Sequence, residues 1–237
     1  MSRILKVAKW QLYDARKAVF LFYLVIASVL ALITILNVLY GDGPGKMGGV
    51  DVNEVVFCFV LGLNSYTGAF KFTQANSITR RSLFAATLVS FAGIAAFMTL
   101  ASIIVGTILK SIMPYEGMMM QLYRIEARPT QFIWGFALNT FAIFLGWMIT
   151  MVYYRSSRLQ KTLVSLSPAF LIMGLIYLNN RTGGRLGAAL IRAMRKALGF
   201  ADMINPNPLV AVFSFFVAAA CCAALGFLLI RRAPIRS

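Results

Sequence analysis

Six long runs of uncharged, mostly apolar residues follow one another along the 237-residue chain, and short charged segments separate them. A helix needs about 20 apolar residues to cross the ~30 Å hydrocarbon core of a bilayer. The composition agrees with membrane helices, because 60% of the residues are apolar and 13% are charged, whereas soluble domains are about 25% charged. The sequence therefore predicts an all-α polytopic membrane protein, with residues 1–237 forming a single transmembrane domain.

The predicted spans contain no charged residue. Glu54 and Lys71 bound the second span, which is the shortest. A charge in the middle of a membrane costs about 3 kcal/mol or more and often marks an ion pathway, so the sequence does not indicate ion-coupled transport. The six predicted transmembrane helices are residues 18–40, 55–70, 83–109, 132–154, 162–180 and 209–230.

Small and polar residues inside two spans are candidates for helix packing. Asn64 and Ser65 lie in the middle of the second span. They either hydrogen-bond to a neighbouring helix, which we favour, or line a path through the protein. In the sixth span, Ala218, Cys222 and Gly226 form a stripe of small residues that suits close helix packing.

Two segments outside the spans have the periodicity of basic amphipathic helices. Residues 2–17 are predicted to form an elbow helix in the cytoplasmic interface, running directly into the first span; the alternative is a solvated leader that only fixes orientation. Residues 181–201 are predicted to form an amphipathic or re-entrant helix before the last span. The candidate interfacial residues of the elbow helix are Lys6, Lys9, Trp10, Tyr13, Arg16 and Lys17.

The composition argues against most catalytic chemistry. The chain has no histidine and seven acidic residues, which excludes most metal sites and general-base mechanisms. Gly45 and Lys46 resemble a phosphate loop only superficially, because Met47 replaces the Ser or Thr that would hold magnesium. We expect no catalytic residue, metal or cofactor in this chain. The net charge of +16 is typical of basic residues that flank spans and meet anionic lipid headgroups, and we expect no nucleic-acid partner.

The positive-inside rule leaves two topologies open. With six spans and both termini inside, inner segments hold fourteen Lys and Arg residues and outer segments hold nine, five of them between the last two spans. A five-span arrangement, in which residues 162–180 return inside as a hairpin, gives sixteen against seven and is slightly preferred by charge. We expect six spans, because residues 162–180 are uncharged and long enough to cross.

A short basic break between the second and third spans is typical of a cytoplasmic turn. It reads NSITRRSLF over residues 76–84. The alternative is a turn that only fixes orientation. The residues of this turn that we single out are Asn76, Ser77, Ile78, Thr79, Arg80, Arg81, Ser82, Leu83 and Phe84.

This turn, the elbow helix before it and the amphipathic segment before the last span together resemble the permease subunits of type 2 ABC exporters, especially the compact bacterial ones. The family's turn reads like Asn-Gly-Ile/Val-Ser-Arg-Arg/Lys-x-x-Phe. Here Ser77 stands in place of the glycine and Thr79 in place of the serine. The resemblance covers the architecture of essentially the whole chain.

The resemblance implies a function that this chain does not perform alone. A separate ATPase subunit, present in two copies and carrying ATP and magnesium, would dock on residues 72–82 and against the elbow helix. Thr79, Arg80 and Arg81 would offer it hydrogen-bond donors and charge, while Ile78, Leu83 and Phe84 would anchor it. A second permease copy, identical or related, would complete the complex in the cytoplasmic membrane of a bacterium.

The cargo implied is amphipathic or apolar: a peptide, a lipid or a drug. Peptide is the leading expectation, because the permeases of small peptide-toxin exporters are of similar size. The alternatives from other classes are a non-transporting membrane anchor or immunity-type protein, and a secondary transporter, which would need inverted repeats and intramembrane charges.

Overall fold

Every secondary-structure element in the described part of the chain is a helix. The computed structural model describes residues 3–40, 49–76, 78–112, 114–202 and 204–231. Each of the six predicted spans falls within one helix. The helices are α1 (Arg3–Tyr40), α2 (Val50–Ala75), α3 (Arg80–Ile112), α4 (Met118–Tyr123), α5 (Arg128–Arg155), α6 (Arg158–Arg181), α7 (Arg185–Ala197) and α8 (Pro208–Arg231).

Five of these helices, α1, α3, α5, α6 and α8, are long and apolar enough to cross a membrane. The chain is therefore an all-α, multi-pass membrane protein. The remaining long helix, α2, has 26 residues and is about 39 Å long. Its first five residues include two acidic ones, Asp51 and Glu54. The helix lies in the centre of the bundle, against α5.

The predicted elbow segment and the first predicted span form one continuous helix. α1 runs without a break for 38 residues, about 57 Å, because no glycine or proline interrupts residues 3–40. Its first turns pack on the bundle: Val7 and Ala8 are buried, and the Trp10 ring stacks on Phe72 of α2 at 4.2 Å. The Gln11 amide exchanges hydrogen bonds with hydroxyl groups of α3. The leader is thus the first part of a packed helix.

Glycines allow α2 and α5 to approach closely. A Cβ atom at Gly62 would overlap the carbonyl oxygen of Ile143, and one at Gly146 would overlap the carbonyl oxygen of Phe59. These reciprocal contacts put the two backbones against each other, as small residues do in membrane helix pairs. α8 then packs on the other side of α5, where Gly226 lies against the Trp147 ring. The three helices α2, α5 and α8 form the centre of the protein.

The bundle has two ends with different chemistry. At the basic end, defined by the α2–α3 turn and the last residues of α5 and α8, the Arg80 side chain meets the end of α8. At the far end, defined by the starts of α2, α5 and α8 and the end of α3, Val50, Leu109 and Tyr115 pack together. Successive helices α1, α2 and α3 therefore run in alternating directions.

α6 and α7 lie apart from the centre. In the most apolar window of α6 no residue is buried, and α7 is a basic helix without a buried residue. The amphipathic helix predicted at residues 181–201 is therefore present over residues 185–197. Its carboxyl end returns to the far end of the bundle, where the Tyr123 hydroxyl donates to the Leu198 carbonyl at 2.7 Å and the Ser214 hydroxyl donates to the Ala197 carbonyl at 2.7 Å.

Candidate functional site

The turn between α2 and α3 is short, and its described residues are hydrogen-bonded to the adjacent helices. Four residues, 76–79, join the two helices; Ser77 lies outside the described residues. The Thr79 hydroxyl accepts a hydrogen bond from the Ser82 backbone amide at 3.2 Å, which makes Thr79 the N-cap of α3. The Ile78 amide donates to the Thr73 carbonyl at 3.0 Å. These bonds connect the described residues of the turn to the ends of both helices.

The two arginines of the turn have different environments. Arg80 is half-buried, and its guanidinium donates to the backbone carbonyls of Ile230 at 3.2 Å and Arg231 at 2.8 Å. These carbonyls belong to the last described turn of α8, so Arg80 connects the start of α3 to that helix. Arg81 is exposed. The pair therefore offers one arginine, not two, to a partner.

The apolar residues of the turn pack against the bundle, and Leu83 is buried there. Leu83 is 2% exposed, and Ile78 packs against the core. The Phe84 ring contacts the rings of Trp147 in α5 and Phe227 in α8, at 6.1 and 4.8 Å. Leu83 therefore has no apolar surface left for a partner, whereas Ile78 and Phe84 are half-buried, and their anchoring of a partner stays a prediction. The exposed residues that remain are Asn76, Thr79 and Arg81.

The predicted elbow residues lie on the exposed face of α1, with one exception. Trp10 is half-buried against α2, as described above. The Arg16 guanidinium lies over the Tyr13 ring, 3.5 Å from its centre. The exposed members of the set are Lys6, Lys9, Tyr13, Arg16 and Lys17.

The sixth-span residues singled out for packing lie along α8, which packs on α5. Cys222 and Gly226 are buried, and Ala218 is half-buried. Ala219 and Ala223, which the sequence analysis did not single out, are buried beside them.

Asn64 and Ser65 do not hydrogen-bond to a neighbouring helix in the way we favoured. Each bonds to a carbonyl of its own helix, of Val60 and Gly62 respectively. Both line a cavity of about 270 Å³ between α1, α2 and α3. The alternative that these residues line a space is the one that fits their positions.

A second polar cluster, near the far end, was missed by the sequence analysis. Glu54 lies in the second turn of α2 and is 4% exposed. Its carboxylate accepts a hydrogen bond of 2.6 Å from the Asn139 side chain of α5, and Asn139 also bonds to Thr99 of α3 at 3.0 Å. An acidic residue is therefore buried where three helices meet. The sequence offered two signals, which are Glu54 directly before one apolar run and Asn139 inside another. It did not show that the two side chains meet.

Asp51, one turn before Glu54, fastens the far-end loop to the bundle. One of its carboxylate oxygens accepts from the Ser102 hydroxyl at 3.0 Å and from the Tyr115 hydroxyl at 3.2 Å. The other accepts from the Met118 backbone amide at 2.6 Å, at the start of α4. Burial, reinforced by the Asp51 charge, raises the pKa of Tyr115, so this hydroxyl stays protonated and keeps donating. Asp51 is thereby fully engaged in structural hydrogen bonds.

Comparison with models of protein families, with curated proteins and with solved structures gives no match to this chain.

Proposed function

We propose that this chain is the membrane-spanning subunit of an ATP-driven exporter, moved by a separate ATPase that docks at the α2–α3 turn. The observation that carries the proposal is the connection of that turn to the rest of the bundle. An exposed Arg81 sits beside Arg80, which holds the end of α8, and Phe84 contacts α5 and α8. A docked partner that displaces the turn would therefore displace α5 and α8 with it.

The proposed docking surface consists of Asn76, Thr79 and Arg81. Their exposed polar groups suit an acidic or hydrogen-bonding groove on the partner. The exposed basic face at the start of α1 lies at the same end and would be the second contact. The partner carries ATP and magnesium in this proposal, two copies of it serve two permease copies, and the complex resides in the cytoplasmic membrane of a bacterium.

The proposed topology has six spans with both termini inside. α5 ends at the basic end, where Tyr154 contacts Phe70 of α2, and α8 starts at the far end. The chain must therefore pass from one end to the other between residues 155 and 208. α6 has 24 residues, about 36 Å of helix, which suits that crossing. The basic helix α7 then lies at the far surface, among lipid headgroups.

An apolar or amphipathic cargo, with a peptide as the first choice, suits the lining that the chain offers. The cavity between α1, α2 and α3 has apolar walls with a few polar groups, among them Gln11, Asn64 and Ser90, which is the usual make-up of a small-ligand site.

The test is cargo-dependent ATP hydrolysis by the purified complex. Arg81→Glu reverses the exposed charge of the proposed contact, and we expect it to lower hydrolysis and transport at least tenfold, because one lost charged contact of about 1.4 kcal/mol or more corresponds to that factor. Arg155→Glu is the matched control, since Arg155 is also exposed at the basic end. Equal loss in both variants, or no loss with Arg81→Glu, would contradict the docking site.

Ion-coupled transport is a second candidate, because Glu54 supplies the buried acidic group that the sequence analysis did not find. Transport that follows an ion gradient and continues without nucleotide would favour it over the exporter.

A further inference from the structure

We propose that Glu54 and Asn139 bind a monovalent cation of the size of sodium, near the far end of the bundle. The site lies between α2, α3 and α5, in a cavity of about 30 Å³ lined by Glu54, Thr99, Ser102, Asn139 and others. It does not depend on the ATPase or on the direction of transport, so it stands or falls separately from the exporter proposal.

The first argument is that Glu54 has no basic partner among the residues that the structure describes. The ionisable groups near it are Asp51 and Cys58 on its own helix, Tyr23 of α1 and Tyr115 of the far-end loop. All of these are acids. A buried carboxylate without a counter-charge is destabilising by several kcal/mol. A bound cation would remove that penalty.

The second argument is the orientation of the Asn139 amide. The Thr99 hydroxyl donates its hydrogen to the Ala95 carbonyl at 2.8 Å, so it can only accept from Asn139. The Nδ2 atom of Asn139 therefore faces Thr99 and Glu54, and both of its hydrogens are used. Its Oδ1 atom is buried without a hydrogen-bond partner, on a residue that is 3% exposed. This oxygen and the Glu54 carboxylate are acceptors on residues that line one cavity.

The third argument concerns charge and ligand type. Oxygen atoms are the ligands of hard cations. Asp51 lines the same cavity, but its two oxygens already accept three hydrogen bonds. Glu54 is therefore the carboxylate of this cavity whose oxygens remain for an ion, and one carboxylate as a direct ligand suits a monovalent ion better than a divalent one. A proton on Glu54 would neutralise the charge of that carboxylate. It would not by itself give the Asn139 Oδ1 atom a partner, because Glu54 contacts the Nδ2 atom of that amide.

The test is thermal unfolding of the full-length protein in micelles, with sodium chloride replacing choline chloride at constant ionic strength. We expect the midpoint to rise saturably, by about 3–6 °C when sodium exceeds its Kd tenfold. Glu54→Gln should abolish the sodium dependence. Glu126→Gln, at an exposed acidic residue, should retain it.

Equilibrium binding of radioactive sodium to the wild-type protein gives a readout that does not depend on a variant folding. Saturable binding of about one sodium ion per chain supports the site. The amount of bound sodium should fall at low pH, because protons then compete with sodium for Glu54. Three results would each overturn the site. The midpoint of thermal unfolding could be equal in sodium and choline, or it could change with pH and not with sodium. The third result is a sodium dependence that persists in Glu54→Gln.

Discussion

At the residue scale, neighbouring side chains of the same type have different functions. Arg80 and Arg81 are adjacent in sequence, yet Arg80 is hydrogen-bonded to α8 and Arg81 is exposed. Their assignment depends on a contact with residues 150 positions later in the chain. The sequence of the turn therefore predicts both arginines as contact residues, but it does not show that Arg80 bonds to α8 while Arg81 stays exposed.

Replacing Arg80 tests its contact with α8. We expect Arg80→Ala to lower the free energy of unfolding by about 1–3 kcal/mol, because hydrogen bonds from a charged group to two backbone carbonyls of α8 are lost. Arg81→Ala should change it by less than about 0.5 kcal/mol. Denaturant unfolding of both variants in micelles measures the difference. An equal effect of the two substitutions would show that Arg80 has no special contact.

The exposed pair Lys110 and Glu126 gives a pH prediction at the far end. Its hydrogen bond of 2.8 Å lowers the pKa of Glu126 from its ordinary value of 4.5. A lowered folded-state pKa means that the pair's contribution is present above pH 4.5 and is lost as the pH falls through the lower value. Glu126→Gln should abolish this acid-dependent part of the stability.

Salt is the control for that prediction. Both side chains are exposed, so high salt should weaken the pair in the wild type and have little effect in Glu126→Gln. A contribution that survives high salt would contradict the assignment to this surface pair.

At the element scale, uncharged runs locate the helices well, but charges at their edges mislead. The second predicted span begins after Glu54, because a buried acid is costly in a membrane. The structure starts α2 at Val50 and satisfies Glu54 with Asn139, which lies 85 residues away. In α1, the basic periodicity suggests a surface helix, whereas burial of Val7 and Ala8 against the bundle decides its packing. Partners distant in sequence, not local propensity, account for both differences.

Glycine substitutions in α2 test the close approach to α5. Gly62→Ala should destabilise the protein by about 1–3 kcal/mol, because the new methyl group meets the Ile143 backbone and cannot be accommodated by a side-chain movement. Gly68 on the same helix has nothing within 4 Å of an added Cβ, so Gly68→Ala should be neutral or stabilising by up to about 1 kcal/mol. Unfolding in micelles compares the two. Similar effects would mean that the α2–α5 contact is not as close as described.

At the scale of the whole molecule, the path of α6 and α7 determines the topology. Charge alone slightly favours five spans, since α7 and its neighbours are basic. The geometry argues for a crossing, because the chain leaves α5 at one end and enters α8 at the other.

Cysteine labelling tests this topology. In a variant with the native cysteines replaced by alanine, Thr182→Cys should react with a membrane-impermeant maleimide in intact cells. Asn76→Cys should react only after the membrane is opened. Both positions are exposed and lie at opposite ends of the bundle in the six-span arrangement. Identical labelling of the two would rule that arrangement out.

The most direct test of the central claim is site-specific photo-crosslinking in cells from Asn76, at the proposed docking surface. The exposed Gln121, at the far end, is the matched position. The exporter proposal predicts that Asn76 crosslinks to an ATP-hydrolysing subunit and that Gln121 does not. Absence of such a crosslink from Asn76, or an equal yield from Gln121, would contradict it.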